Sequence, residues 1–184
     1  MGAAIDAIRS GEVVGLPTDT VYGIGVDPLN ESAVEKLYNL KGRPEHKPVG
    51  LLVASLDQAQ TGAEIFGDAL ALAESHWPGA LTLVVVPKVI LADWVGDSQR
   101  RTVGMRVPDH QLARDLLEAV GPLAVTSANR SGGAETLDHL EAQSVFGDGV
   151  AVYLKGVSPG GVASTVVDAT SEIVTVLREG PLAI

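Results

Sequence analysis

Apolar positions along the chain fall into helical and strand periods that alternate through the first two-thirds. Ala3 to Arg9 carries a short helical pattern stopped near Gly11, and Glu12-Val-Val-Gly-Leu16 follows as a buried strand ending at Pro17. Asn30 is a good N-cap, with Glu31 and Glu35 at the positive end of the helix dipole. Val34, Leu37 and Leu40 share one face, so a helix runs from there to Gly42. Val49 to Ala54 is strand-like. Leu56 to His76 reads as two short helical pieces around Gly62 and Gly67, broken at Trp77-Pro78-Gly79 before a strand from Ala80 to Val86. Val89 to Ser98 shows no clear period. Thr102 to Val107 is a strand containing Arg106, and Asp109 stands where it would cap a helix striped by Leu112, Leu116, Leu117 and Val120. Leu123 to Thr126 is a strand, Thr136 opens a helix through Gln143, and Val150 to Leu154 is a strand. Two last strands, Ser164 to Asp168 and Glu172 to Leu177, close the pattern.

Strands alternating with helices, then strand after strand, predict an α/β fold: a twisted, mixed parallel and antiparallel open sheet with flanking helices. At 184 residues the chain fits a single domain, 1–184, since domains commonly hold roughly 100–200 residues. It shows no internal repeat or linker.

Between these elements lie polar loops that follow strand ends. Pro17-Thr-Asp-Thr-Val-Tyr-Gly-Ile-Gly25 sets three hydroxyls, Thr18, Thr20 and Tyr22, directly after a strand. Turn chemistry alone explains such a stretch as well as a site does. Ser127-Ala-Asn-Arg-Ser-Gly-Gly133 is a second polar loop, and Gly156-Val-Ser-Pro-Gly-Gly161 reads as a third, mobile one. Ligands of open α/β sheets sit beyond the carboxyl ends of strands, which makes Thr18 to Tyr22 and Ser127 to Asn129 candidate rims of one site. An arginine placed like Arg106 is ordinarily an exposed-face residue.

Charge changes the picture. The chain carries a net charge of -10, yet four of its 13 Lys and Arg residues fall between Lys36 and Lys47. Lys36 and part of the charge of Lys41 suit a helix C-terminus, whereas Arg43 and Lys47 lie beyond it in a segment stiffened by Pro44 and Pro48. Lys41 and Arg43 are expected to be exposed, facing an anionic ligand. The acidic balance and the 4% aromatic content argue against broad duplex binding or a base-stacking platform. Cysteine is absent, which excludes thiol nucleophiles and cysteine-ligated metals, and the four histidines are dispersed. Apolar runs fall far short of the ~20 residues that span a bilayer, and no secretory pattern opens the chain, so no membrane contact and a cytoplasmic location are expected.

Walker A and Gly-x-Gly-x-x-Gly patterns are both missing. Gly156-Val-Ser-Pro-Gly160 matches the Gly-x-Ser-x-Gly nucleophile elbow. Pro159 and Gly161 oppose the helix that motif requires, and no histidine follows Ser158 as a base.

Three stretches together resemble the YrdC/Sua family of threonylcarbamoyl-AMP synthases: Pro17-Thr-Asp-Thr-Val-Tyr-Gly23, Lys41-Gly-Arg-Pro-x-x-Lys-Pro48 and Ser127-Ala-Asn129. Trp77 to Thr82, Thr102 to Arg106 and Ser164 to Asp168 support them in family order. The resemblance implies a YrdC-like fold around a large concave pocket, of the short class without the extra C-terminal domain. It implies formation of threonylcarbamoyl-AMP and pyrophosphate from L-threonine, bicarbonate or CO2, and ATP, for N6-threonylcarbamoyladenosine at position 37 of tRNA. Carried over residue by residue, Lys41 and Arg43 are the catalytic cations. Lys41, Arg43, Lys47, Arg106, Ser127, Asn129 and Arg178 hold ATP, and Thr18, Thr20, Tyr22 and Ser164 line the threonine and carbamate side. Mg²⁺ is expected with the triphosphate, bound through phosphate oxygens and water rather than by protein ligands. A tRNA threonylcarbamoyl-transferase complex is the expected downstream partner, with weak tRNA binding. Residues 150–161 match nothing in the family pattern.

Two other readings stand beside this one. A non-catalytic RNA-binding module of the same fold would use the basic pocket on a tRNA backbone. A carbamoyl-adenylate domain of hydrogenase maturation belongs to a much longer, cysteine-bearing chain.

Overall fold

The computed structural model describes residues 1–42, 48–171 and 173–184. Helix α1, Gly2–Arg9, buries Ala4 and Ile8, one turn apart on one face. Strand β1, Val14–Leu16, leads through the loop of residues 17–22 to β2, Gly23–Val26. The glycines of β2 are why the sequence reads there as loop. Ile24 and Val26 fill the core, while a Cβ at Gly23 or Gly25 would come within 2.8 or 2.7 Å of a Val125 methyl. Helix α2, Glu31–Lys41, starts where the Asn30 side chain accepts the Ala33 N–H and stops at Gly42, whose φ of 63° suits a residue without Cβ.

Strand β3, Gly50–Leu52, precedes helix α3, Leu56–Gly62, capped by Ser55, and a two-residue strand β4, Ala63–Glu64. Helix α4, Gly67–His76, strand β5, Leu81–Pro87, and strand β6, Val103–Arg106, follow. Helix α5, Gln111–Val120, begins after His110 rather than on an Asp109 cap; Asp109 instead pairs with Arg114 at 3.1 Å. Strand β7 is Leu123–Ser127. Helix α6, His139–Phe146, is capped by Asp138, whose carboxylate accepts two backbone N–H bonds, displacing Thr136 from that role. Strands β8, Val152–Tyr153, β9, Thr165–Asp168, and β10, Thr175–Arg178, complete the chain, the last shorter than its apolar pattern.

Among the described residues the sheet runs β10-β9-β5-β6-β3-β7-β2-β1-β8, with β4 beside β5. Pairs β3/β6, β5/β9 and β1/β8 are parallel and the others antiparallel, as a mixed α/β sheet requires. Two apolar clusters cover it. One gathers Ile24, Leu37, Leu83 and Met105 with residues of α2, α4 and α6, and the other packs α1 and α5 on Leu16, Leu52 and Leu123. No helix among the described residues is long and apolar enough to cross a membrane.

The pairing register places the site. Arg178 is opposite Val166, Val166 opposite Thr82, Leu52 opposite both Arg106 and Leu123. Leu83 opposite Met105 then sets Thr82 beside Arg106, so one row crosses the sheet. Ser127 lies four residues along β7 from Leu123, about 13 Å at ~3.3 Å per residue, level with Gly23 and Leu16.

Candidate functional site

A cavity of about 460 Å³ occupies the concave face between those two levels. Its position corrects the expectation of a crevice beyond the carboxyl ends. Residues 17–22 do leave the sheet level with Ser127, but they fold back over its face to reach Arg106 in the far row. Small residues make the floor: a Cβ on Gly50 would lie 2.9 Å from the Gly104 carbonyl oxygen, and one on Gly104 would lie 3.0 Å from the Thr82 methyl. Larger residues there would fill the cavity.

Hydroxyls and two arginines line one end. Thr18 Oγ1 lies 3.0 Å from Thr20 Oγ1 and donates to the Val21 carbonyl at 2.8 Å, so the loop is folded around its own side chains. Arg106, only 4% exposed, donates to Thr20 Oγ1 at 2.9 Å and lies 3.3 Å from an Asp19 carboxylate oxygen. Its pKa is pulled below the ordinary arginine value by burial, partly restored by Asp19 and lowered again by Arg178, yet a guanidinium stays charged in a protein. The exposed-face expectation for Arg106 therefore fails, because the returning loop covers it. Arg178 donates to the Ser164 carbonyl at 2.7 and 3.1 Å, and Ser164 Oγ lies 2.7 Å from Thr82 Oγ1. Thr18, Thr20, Ser164, Arg106 and Arg178 are thus brought together.

At the opposite end Ser127 lines the cavity, with Pro48, Asp97, Arg100 and Thr102 nearby on its wall. Lys41 is not the exposed cation the sequence predicts. It is 3% exposed, and its ammonium donates to the Ser127 carbonyl at 2.6 Å, the Asn129 carbonyl at 2.8 Å and the side chains of both residues. Ser127 Oγ donates to Asn129 Oδ1 at 2.6 Å, and Asn129 Nδ2 donates to the Gly133 carbonyl at 2.7 Å. Lys41 and Asn129 form the buried knot that holds Ser127 at the cavity wall; neither lines it. Helix α2 delivers Lys41 there because Val34, Leu37, Tyr38 and Lys41 share its buried face.

Tyr22 also departs from expectation. It is fully buried, does not line the cavity, and donates its hydroxyl to the Leu154 carbonyl at 2.7 Å. Burial first, then Tyr153 and Asp138, push its pKa well above the ordinary tyrosine value, so it stays protonated. Arg43 and Lys47 lie outside the described residues. Thr82, Asp19 and Arg100 are wall or support residues that sequence reasoning did not assign. Thr82 stood in the Trp77 to Thr82 stretch without a role, and Arg100, paired with Asp168 at 2.7 Å, lay between the region without a period and the strand from Thr102, where the pattern assigns nothing. No group of three His, Asp or Glu able to hold a metal occurs among the described residues.

Comparison with known proteins meets this geometry. The Sua5/YciO/YrdC family, described as Telomere recombination, matches residues 6–180. A Mycobacterium tuberculosis protein bearing a provisional threonylcarbamoyl-AMP synthase name is 46% identical over 182 residues, covering 98% of this chain and 83% of that one. The threonylcarbamoyl-AMP synthase of Vibrio parahaemolyticus is 35% identical, covering 85% of this chain and 86% of its own length. Among solved structures, Pyrococcus abyssi Sua5 complexed with L-threonine superposes with a TM-score of 0.90 at 35% identity, over 97% of this chain but 53% of that protein. The chain thus spans about half the length of that relative. Escherichia coli YciO superposes with a TM-score of 0.87 at 28% identity, over 97% of this chain and 87% of that one. The chain belongs to the Sua5/YciO/YrdC family.

Proposed function

We propose that this protein is an L-threonylcarbamoyladenylate synthase, a nucleotidyltransferase that joins L-threonine, bicarbonate or CO2 and ATP into threonylcarbamoyl-AMP with release of pyrophosphate. The amine nitrogen of threonine bonds to the carbon of CO2 and loses a proton, giving a carbamate. A carbamate oxygen then attacks the α-phosphorus of ATP, and the bond to the β-phosphate oxygen breaks. Such a displacement needs alignment and charge neutralisation more than a protein nucleophile.

One observation carries the reading: two arginines, each fixed by residues of a hydroxyl network, converge on one end of a cavity of about 460 Å³, within the ~300–1,000 Å³ usual for small-molecule sites. Thr18, Thr20 and Ser164 supply bonding groups for the threonine and carbamate. The hydrogen bond of Arg106 to Thr20 and those of Arg178 to Ser164 support charge at the seam between carbamate and phosphate, rather than a purely nucleotide role. Ser127, held by Lys41 and Asn129, faces the nucleotide, with Arg43 and Lys47 contributing phosphate contacts as their motif implies. ATP enters as its Mg²⁺ complex. The product would pass to a tRNA threonylcarbamoyl-transferase complex in the cytoplasm, with tRNA contact weak at this net charge of -10.

Purified protein given ATP, threonine and bicarbonate should release pyrophosphate only when all three are present. Release indifferent to threonine contradicts the synthase reading, and no turnover at all is what an RNA-binding module predicts.

A further inference from the structure

We infer that residues 156–161, which the reaction above does not use, form a template that sets the shape of the hydroxyl loop 17–22, with Ser158 as its positioning residue. The inference rests on the synthase reading for what the hydroxyl loop binds.

Ser158 is 0% exposed, so the Gly-x-Ser-x-Gly match does not present a nucleophile. Its hydroxyl oxygen instead accepts the Thr18 N–H at 2.9 Å, across 140 residues of sequence. Its own N–H donates to the Leu137 carbonyl at 2.6 Å, and Val157 forms a bridge with Asp138, so the template is itself pinned at the start of α6. The Gly161 N–H donates to the Thr20 carbonyl at 2.8 Å. The two motif glycines are explained by the same packing. A Cβ on Gly156 would come within 2.6 Å of the Pro17 ring, and one on Gly160 would run into the Asp19 carbonyl oxygen.

From Ser158 the contacts pass to the site. Thr18, whose N–H is held, touches Thr20 through its hydroxyl, and Thr20 receives the guanidinium of Arg106. Removing the Ser158 oxygen leaves a buried N–H without that acceptor, and the loop must shift to satisfy it. A displacement of about 1 Å at a substrate-holding group costs up to roughly 100-fold in rate. The effect is largest at the hydroxyl end, because Ser127, although its neighbour Ala128 donates to the Tyr22 carbonyl at 2.8 Å, is held in addition by the Lys41 knot.

The test compares steady-state kinetics of Ser158→Ala, Ser158→Cys and Gly160→Ala with the unaltered chain, varying threonine and ATP separately. Ser158→Ala and Gly160→Ala are expected to lower kcat/KM for threonine about tenfold or more, in line with that displacement cost, and to raise the KM for threonine by more than the KM for ATP. Cysteine, a weak acceptor of similar shape, falls between. Gly160→Ala retains the serine and disturbs the same loop by contact, so it carries the test if Ser158→Ala does not fold. Leu116→Ala, in the cluster under α1 and α5, serves as a control that lowers Tm with both KM values unmoved. Variants that lose Tm and active fraction but keep the threonine KM overturn the inference, as does an equal rise in both KM values. Absence of threonine-dependent turnover in the unaltered chain would instead remove the synthase reading itself.

Discussion

Replacing Lys41 by methionine keeps a long apolar stem and deletes the ammonium. At 3% exposure the lost group leaves the Ser127 and Asn129 carbonyls, formerly 2.6 and 2.8 Å from it, facing one another without that donor. Hydrogen bonds to charged groups contribute about 1.5–3 kcal/mol each. Release from burying a charge offsets part of the loss. A net destabilisation of roughly 2–4 kcal/mol follows, which lowers Tm by about 5–15 °C at ~2–4 °C per kcal/mol for a chain of this size. ATP affinity should fall as well, because Ser127 loses its support. Thermal unfolding followed by circular dichroism, with ATP titrated into the variant well below its midpoint, measures both. An unchanged Tm together with lost ATP binding would show that Lys41 acts as a solvent-facing phosphate ligand, and the buried-knot account would be wrong.

Further outcomes follow from the same geometry. Tyr22→Phe leaves the Leu154 carbonyl without its 2.7 Å donor and should cost about 1–2 kcal/mol in stability while leaving both substrate KM values in place; a large rise in the threonine KM would put Tyr22 back in the site. Gly50→Ala sets a methyl 2.9 Å from the Gly104 carbonyl oxygen of the paired strand, so β3 and β6 must part at the cavity floor and both Tm and turnover should fall; unchanged Tm with full activity would contradict the tight approach. The Asp168 carboxyl is held below the ordinary carboxylate range by the Thr170 hydroxyl, against burial, and then by Arg100. Its folded pKa lies under the unfolded value of about 3.9, so its stabilisation is complete above that pH and is lost as pH falls through the folded value. Asp168→Asn should flatten the acid side of the stability profile below about pH 4, and an unaltered slope contradicts the assignment.

The fold was legible wherever periodicity and capping agreed. Asn30 and Gly42 mark helix ends that the structure shares, and the alternation of β5 places Thr82 and Val84 on the cavity side. Strand β2 was not legible, because its glycines imitate a turn while serving as clearance for Val125. The candidate site residues stood out as residue types within motifs, but their burial did not. Arg106 is covered by a loop from 86 residues away in sequence, and Lys41 is drawn inward by carbonyls of a loop equally remote. Such long-range closure leaves no local trace. The same holds for Ser158, whose motif suggests a nucleophile until its partner, the Thr18 amide, is known.

The central claim concerns the bonds made: threonine nitrogen to the carbon of bicarbonate, and an oxygen of the resulting carbamate to the phosphorus of AMP. Incubation with isotopically labelled bicarbonate, threonine and ATP, followed by rapid quenching and mass spectrometry, reads those bonds directly. The account predicts a labile adenylate that contains threonine and carries the label in its carbonyl, formed in step with pyrophosphate. Pyrophosphate release with AMP as the only nucleotide product, unlabelled and independent of threonine, would contradict it.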